Sequence, residues 1–129
     1  MPDSSLPIQA AIFSRLGTAL SPTAVYDNPP QDYSQPYVVI GDDFHQQWDT
    51  DDSVGSESLL TIHTWSSHRG KSEAKTIQGQ IYDALHRYEL SVSGFATVTL
   101  EYESAEVFKD SDGESWHGVS KFRALVEST

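Results

Sequence analysis

Two segments of the chain have apolar residues spaced as on one face of an α-helix. The first covers residues 6–16, with Ser4 or Ser5 as candidate N-cap and Gly17 as candidate stop. The second covers residues 71–88 and keeps its charged residues largely outside the apolar stripe. The apolar positions are Ile8, Ala11, Ile12 and Leu16 in the first stripe, and Ala74, Ile77, Ile81, Ala84, Leu85 and Tyr88 in the second. The pattern predicts two amphipathic helices.

Four further segments are rich in β-branched and aromatic residues or alternate apolar with polar positions, as strands do. They are residues 37–48, 59–65, 97–107 and 116–126. Between Tyr102 and Ala105 the apolar phase shifts by one position, which predicts a β-bulge. Residues 24–26 have room only for a short strand. The segments therefore predict two hairpins.

The order helix, loop, strand, strand, helix, strand, strand predicts an α+β fold. We expect a mostly antiparallel four-stranded sheet, made of two hairpins, with both helices packed on one face. The chain has 129 residues and shows no internal repeat or break in composition. We therefore expect one domain that covers residues 1–129.

Two loops interrupt this pattern. Residues 18–36 contain four prolines, which cannot continue a helix or lie inside a sheet: Pro22, Pro29, Pro30 and Pro36. Residues 49–57 form an acidic loop that contains Asp49, Asp51 and Asp52. A long loop in a small domain is more often functional or interface-forming than idle.

The charge balance restricts the function further. The chain has 19 acidic residues against 8 lysines and arginines, a formal net charge of −11. This balance argues against a basic face that neutralises nucleic-acid phosphates. Without cysteine, disulfides and thiolate chemistry are excluded. No apolar run approaches the roughly 18 residues of a membrane helix, and residues 1–6 lack the features of a secretion signal.

Candidate catalytic and metal-binding residues are few. The histidines show no zinc-binding spacing: His45, His63, His68, His86 and His117. We interpret residues 110–113, Asp-Ser-Asp-Gly, as a turn because they match only a fragment of an EF-hand loop. Asp42 and Asp43 are adjacent on a strand and point to opposite faces. The sequence predicts no catalytic residue, metal or cofactor; a hydrolase would need a pocket that gathers a nucleophile, a base and an orienting group.

Short motifs spread over residues 8–127 carry a family resemblance through their order and spacing. They are Val25-Tyr26-Asp27, Pro30-Gln31, the Pro-Tyr-Val-Val-Ile-Gly of residues 36–41, the Leu-Thr-Ile-His-Thr-Trp-Ser of residues 60–66, Glu73-Ala74-Lys75, Ala84-Leu85-His86, the Phe-Lys-Asp-Ser-Asp-Gly of residues 108–113, Trp116-His117-Gly118-Val119 and Phe122-Arg123-Ala124. The chain resembles the small tail-completion, or tail-terminator, proteins of phages with long non-contractile tails and of related gene-transfer particles.

The resemblance implies a structural virion protein and not an enzyme. It implies a ring, expected to be a hexamer, at the head-proximal end of the tail, assembled in the host cytoplasm. The implied partners are further copies of the chain, the major tail-tube protein and a head-completion or connector protein. DNA would pass through the channel without specific binding, and no membrane is involved. Two alternatives are another head–tail connector or tail-tube-like subunit, and a small cellular interaction module.

Two sets of residues are candidates for interface or lumen positions. We predict that Asp42, Asp43, Asp49, Asp51 and Asp52 border the lumen or the tube-facing surface, where acidic groups would repel passing DNA. The prolines of residues 27–36, Pro29, Pro30 and Pro36, suit a contact with a subunit or with the tube. A ring structure with the acidic loop on its outer rim would contradict the first prediction.

Overall fold

A computed structural model describes residues 3–28 and 35–129. The described residues form two helices, α1 and α2, and five strands, β1–β5. In chain order they are α1 (Ser5–Ala19), β1 (Ala24–Tyr26), β2 (Tyr37–Gln47), β3 (Gly55–Ser66), α2 (Ser72–Leu85), β4 (Phe95–Lys109) and β5 (Trp116–Ser128). The predicted pair of helices and the two hairpins are all present.

The sheet has five strands in the order β1-β2-β3-β5-β4 and is mixed. The prediction of four strands was wrong, because β1 pairs in parallel with the start of β2, from Ala24 opposite Tyr37 to Tyr26 opposite Val39. All other neighbours are antiparallel. A three-residue strand is too short to show a period of two, so the sequence pattern did not distinguish β1 from loop.

Both helices pack on one face of the sheet, which we call the covered face; the opposite face is the open face. The even-numbered residues from Ser56 to Ser66 in β3 and from Gly118 to Val126 in β5 point to the covered face and are buried. They meet the apolar stripes of the helices in one core that includes Ile8, Ile12, Leu16, Ile62, Ile77, Ile81, Leu85, Leu100 and Phe122. Each such side chain contributes about 1.5–3 kcal/mol when it leaves water, so this layer holds the fold together.

Three register shifts change which side chains reach which face. The predicted bulge is confirmed by a shift between Tyr102 and Ser104 in β4, and a second shift lies between Thr97 and Thr99. The third lies between Ile40 and Asp43 in β2. One extra residue in a strand exchanges the faces of the side chains that follow it. Val39 and Phe44 therefore both lie on the open face, although one has an odd and the other an even residue number.

The helix boundaries differ from the prediction at three points. Helix α1 continues past Gly17 to Ala19, and the chain after it still buries Leu20. The Ser4 side chain does not cap α1; its hydroxyl lies 2.5 Å from that of Ser56 on β3. Helix α2 ends at Leu85, because Arg87 takes a φ of 60° and donates its N–H to Leu100 O over 2.7 Å.

Candidate functional site

One end of the open face carries a row of aromatic side chains that crosses four strands. The strand register aligns Tyr37 with Trp65, Trp65 with His117, and His117 with Phe108. The Trp65 and His117 rings stack with centroids 3.9 Å apart, and the Phe108 and His117 centroids are 4.9 Å apart. A continuous aromatic surface therefore faces away from the helices.

Two histidines of this face bind each other. The Nδ1 atom of His63 lies 2.7 Å from Nε2 of His117, so one nitrogen donates a hydrogen bond and the other accepts it. The His63 ring lies against the backbone of Gly41, where a Cβ atom would come within 2.5 Å of His63 Nε2. Only glycine at this position of β2 leaves room for the ring, which gives the Ile40-Gly41 motif a physical reason.

Both histidines are held toward their neutral form. Burial lowers the pKa of His63 below its ordinary value of 6.5, although the carboxylate of Asp42 acts in the opposite direction. Burial also lowers the pKa of His117, and the nearby His63 lowers it further, against the charges of Asp110 and Glu106. The pairing of His63 with His117, 54 residues away in the chain, was not predicted from the sequence.

A pH-dependent loss of stability follows from this pair. As the pH falls below 6.5, the unfolded chain takes up protons on His63 and His117 before the folded chain does, so the free energy of unfolding decreases. We expect the wild type to lose more stability between pH 7.5 and 5 than a His63→Gln/His117→Gln variant, measured by urea denaturation. His68→Gln, at an exposed turn position, is the control. Equal losses in the wild type and the double variant would contradict this account.

Beside the histidine pair, a cleft of about 580 Å³ opens at the edge of β2 that β1 leaves uncovered. Its lining combines aromatic and acidic side chains from both layers: Gln9, Asp27, Tyr37, Val39, Ile40, Gly41, Asp42, His63, Trp65 and His117. The Gln9 amide donates to Asp27 Oδ2 over 3.0 Å and links α1 to this rim. No lysine or arginine occurs among the described residues of the lining, so the cleft is electronegative.

A second polar cluster has the connectivity of a catalytic triad but not its accessibility. The Ser58 hydroxyl lies 2.7 Å from His45 Nδ1, and Asp43 Oδ2 lies 3.1 Å from His45 Nε2. A nucleophile must be open to substrate, yet Ser58 is 0% exposed on the covered face, and it does not line the adjacent pocket of about 270 Å³ around Ser4 and Ser56. The cluster contains one hydrogen bond, between Ser58 and His45, and gives no support to a hydrolase.

The five aspartates predicted as one group occupy three places. Asp49, Asp51 and Asp52 lie in the connection between β2 and β3, which we call the acidic tip (residues 48–54). Asp49 accepts hydrogen bonds from the Gly55 N–H, over 3.1 Å, and from the Gln47 amide. Asp42 lies in the cleft, and Asp43 beside His45. Asp42 and Asp43 also both line a pocket of about 370 Å³ at the β2 bulge, beside Phe44 and Leu59, so their opposite orientation stays a prediction.

The predicted proline surface is described only in part. Pro29 and Pro30 lie outside the described residues. Pro36 directly precedes β2 and is partly buried. The neighbouring Gln35 amide donates to the Ser115 hydroxyl over 3.1 Å, which ties the entry of β2 to the β4–β5 turn. The structure thus connects Pro36 to the end of the sheet that carries the aromatic row.

The β4–β5 connection is a turn, as predicted. Asp112 accepts hydrogen bonds from the N–H groups of Glu114 and Ser115 and from the Ser115 hydroxyl, at 2.8–2.9 Å. These hydrogen bonds lower the pKa of the Asp112 carboxyl. Gly113 takes a φ of 75°, a conformation that glycine adopts readily. Because its oxygens are engaged locally, Asp112 closes the turn.

Two exposed apolar patches were not singled out from the sequence. Leu6, Ala10, Phe13 and Gly17 follow each other at helical spacing on the outer side of α1, with Leu6 73% and Phe13 46% exposed. We call them the α1 stripe. On the open face, Phe44 lies opposite Leu59, and these side chains are 55% and 39% exposed. We call them the open-face pair. The spacing of the α1 stripe was available in the sequence, whereas the open-face pair depends on the bulge.

Within the described residues 5–19, Arg15 is the single charged side chain. Its Nε donates to Ala84 O over 3.0 Å, and its guanidinium lies 3.8 Å from the centre of the Tyr88 ring. Arg15 therefore faces α2 and not the α1 stripe. An uncharged exposed surface is unusual in a chain with 21% charged residues, and it is characteristic of a contact surface.

Comparison with known proteins identifies the family. The family model "Tail completion protein gp17" matches residues 10–127. The tail completion protein gp17 of Bacillus phage SPP1 is 32% identical over 104 residues, which cover 81% of this chain and 77% of that protein. The chain belongs to the tail completion protein gp17 family. This family consists of structural tail proteins and not of enzymes.

Solved structures share the fold of this tail completion protein. A chain in the virion of a native gene transfer agent particle superposes with a TM-score of 0.85 over 99% of this chain and 100% of that one, at 20% identity. The gp17 protein of bacteriophage SPP1 gives a TM-score of 0.63 at 29% identity, over 93% and 88% of the two chains. The fold of this chain is therefore also that of the SPP1 gp17 protein and of a chain in a gene transfer agent virion.

Two observations on the described residues complete the description of this tail completion protein. Across residues 3–28 and 35–129, no three histidine, cysteine, aspartate or glutamate side chains are grouped so as to hold a metal ion. The helices in the same ranges do not combine the length and apolar character needed to cross a membrane. Four surface features of the described residues are candidates for function: the cleft, the acidic tip, the α1 stripe and the open-face pair.

Proposed function

We propose that this protein forms a ring, expected to be a hexamer, at the head-proximal end of a phage-type tail tube. The ring stops growth of the tube and offers the surface to which the head joins. The observation that carries this proposal is the family match over residues 10–127, supported by the SPP1 relative that bears the name of a tail completion protein. Its partners would be the tail-tube protein and a head-completion or connector protein.

The two apolar patches can serve as the two different contact surfaces that ring closure requires on each subunit. A cyclic ring requires that one patch of each subunit meets a different patch of the next. The α1 stripe belongs to the helical layer, and the open-face pair lies on the opposite side of the sheet. Two copies that each carry a charge of −11 repel one another, and uncharged surfaces reduce this cost at the point of contact. We therefore assign the subunit contact to these patches.

The strand edges are less suited to this contact. Strand β4 is an outer strand of the sheet, but several backbone groups of its edge are already engaged. Leu100 O accepts from Arg87 N, Tyr102 N donates to His86 Nδ1 over 3.0 Å, and Glu106 O accepts from the Gln78 amide over 3.0 Å. At the other edge, β1 covers β2 only from Tyr37 to Val39, and the uncovered remainder of β2, residues 40–47, is interrupted by the bulge between Ile40 and Asp43. Strands protected in this way do not readily pair with another chain.

The acidic tip is our proposed lumen- or tube-facing element. It concentrates Asp49, Asp51 and Asp52 at one end of the sheet, where they would repel DNA that passes through the ring. Asp42, in the cleft, and Asp43, beside His45, lie apart from the tip, and we propose them for the tube-facing surface. We propose Pro29, Pro30 and Pro36 for a contact with a neighbouring subunit or the tube. A structure of the assembled ring tests these assignments: an acidic tip on the outer rim would contradict the first.

Particles produced without this protein test the proposed function. We expect overlong tails that lack heads, because nothing would stop addition of tube subunits or present the joining surface. Tail length and head attachment are measured by negative-stain electron microscopy. Supplying the intact gene from a plasmid is the control and should restore tails of uniform length joined to heads. Tails of normal length that carry heads, in the absence of the protein, would overturn the proposal.

A further inference from the structure

The electronegative cleft combines features that a partner side chain requires. Its carboxylates come from separate segments: Asp27 follows β1, and Asp42 lies at the bulge of β2. The Trp65 and His117 rings form part of its wall. Negative charge beside aromatic rings attracts an organic cation, which gains from both the carboxylates and the negatively polarised ring faces.

The histidine pair keeps the cleft negative at neutral pH. Their mutual hydrogen bond uses one unprotonated ring nitrogen, and burial disfavours a positive charge on either ring. They therefore do not neutralise Asp27 or Asp42. The aromatic wall also stays rigid, because the His63 ring is confined between His117 and the backbone of Gly41.

We propose that this cleft binds the guanidinium group of an arginine side chain presented by a partner protein. A guanidinium is planar, stacks on aromatic rings and offers five N–H donors in a fixed fork, so it can bridge carboxylates from two segments. A metal ion fits less well, because no group of three metal-ligating side chains occurs among residues 3–28 and 35–129. The net charge of −11 favours approach of a basic partner segment.

In the virion, such an arginine would belong to a tail or head protein that meets this chain, a point that rests on the proposed function. Binding of the side chain itself does not depend on ring formation. The proposal can therefore be tested on the isolated chain, where its failure and the failure of the proposed function are separate results.

The experiment is a titration of the ¹⁵N-labelled protein with N-acetyl-arginine methylamide, followed by NMR. We expect saturable shifts of the Gly41 and Asp42 amides and of the Trp65 indole N–H, with a Kd on the order of millimolar for so small a probe. N-acetyl-citrulline methylamide has nearly the same shape without the charge and should produce no saturable shift.

Two double variants that each remove two negative charges locate the site. Asp27→Asn/Asp42→Asn should weaken binding at least tenfold, whereas Asp51→Asn/Asp52→Asn in the acidic tip should leave it within a factor of two. Well-dispersed spectra of both variants establish that they are folded. Equal shifts with the citrulline compound, unchanged affinity in the Asp27/Asp42 variant, or no saturable shift in the wild type would each overturn the proposal.

Discussion

The substitution Gly55→Ala is expected to lower the free energy of unfolding by about 3 kcal/mol, near the upper end of what overpacking typically costs. Gly55 starts β3 where the chain returns from the acidic tip. A Cβ atom there would lie 2.5 Å from Val126 O and 2.7 Å from Trp48 O. Both obstacles are backbone atoms: Val126 belongs to β5, and Trp48 is held beside Gly55 by its N–H, which donates to Gly55 O over 2.9 Å. Relief therefore requires movement of the backbone. Urea denaturation followed by tryptophan fluorescence measures the effect.

Gly79→Ala is the matched control. Gly79 lies inside α2 with no atom within 4 Å of the position that a Cβ would take, so the close helix–sheet approach that would explain a glycine here is absent. Alanine at this position should raise the free energy of unfolding by about 1 kcal/mol through helix propensity. If Gly55→Ala is as stable as the wild type, the close approach of the Val126 and Trp48 carbonyls to Gly55 is wrong.

The substitution Phe122→Ala is expected to cost about 3–5 kcal/mol, the usual range for removing a buried phenylalanine. Phe122 is 1% exposed on the covered face of β5 and meets the Tyr102 ring edge-on with centroids 5.8 Å apart. Its loss leaves a cavity in the middle of the single core. A thermal melt followed by circular dichroism should show a large decrease in Tm.

Phe44→Ala tests whether the Phe44 side chain contributes to the stability of the isolated chain or only to contacts on its surface. The Phe44 side chain is 55% exposed, so its removal should change the stability of the isolated chain by no more than about 0.5 kcal/mol. A loss comparable to that of Phe122→Ala would contradict the assignment of Phe44 to the open face. If the open-face pair belongs to the ring contact, Phe44→Ala should still reduce assembly onto tail tubes.

The long elements were predictable because their periodicity comes from burial on one face. The stripe from Ala74 to Leu85 places α2, and the phase shift after Tyr102 places a bulge. The predicted helix ends were wrong where a contact with another part of the fold determines the end. Helix α1 passes Gly17 because Leu20 is still buried beyond it, and α2 stops before Arg87 because that backbone binds β4.

The candidate site was predicted less well, because it depends on register. Neither the approach of His63 to His117 nor the cleft beside them follows from local spacing, since both require the order β2-β3-β5. The acidic residues are the reverse case: they are neighbours in the sequence but not in the structure. Five aspartates that are close in sequence are separated, because the extended backbone of β2 lies between Asp42 and the acidic tip.

The engaged edge of β4 has a consequence for how subunits accumulate before use. A long unprotected outer strand would let newly made chains add to one another in any number, and such contacts are slow to reverse. Here His86, Arg87 and Gln78 occupy that edge from within the same chain. On this side of the sheet, association is left to side-chain surfaces, whose contacts can form and dissociate until a correct arrangement is reached. A wrongly placed subunit can therefore leave without unfolding.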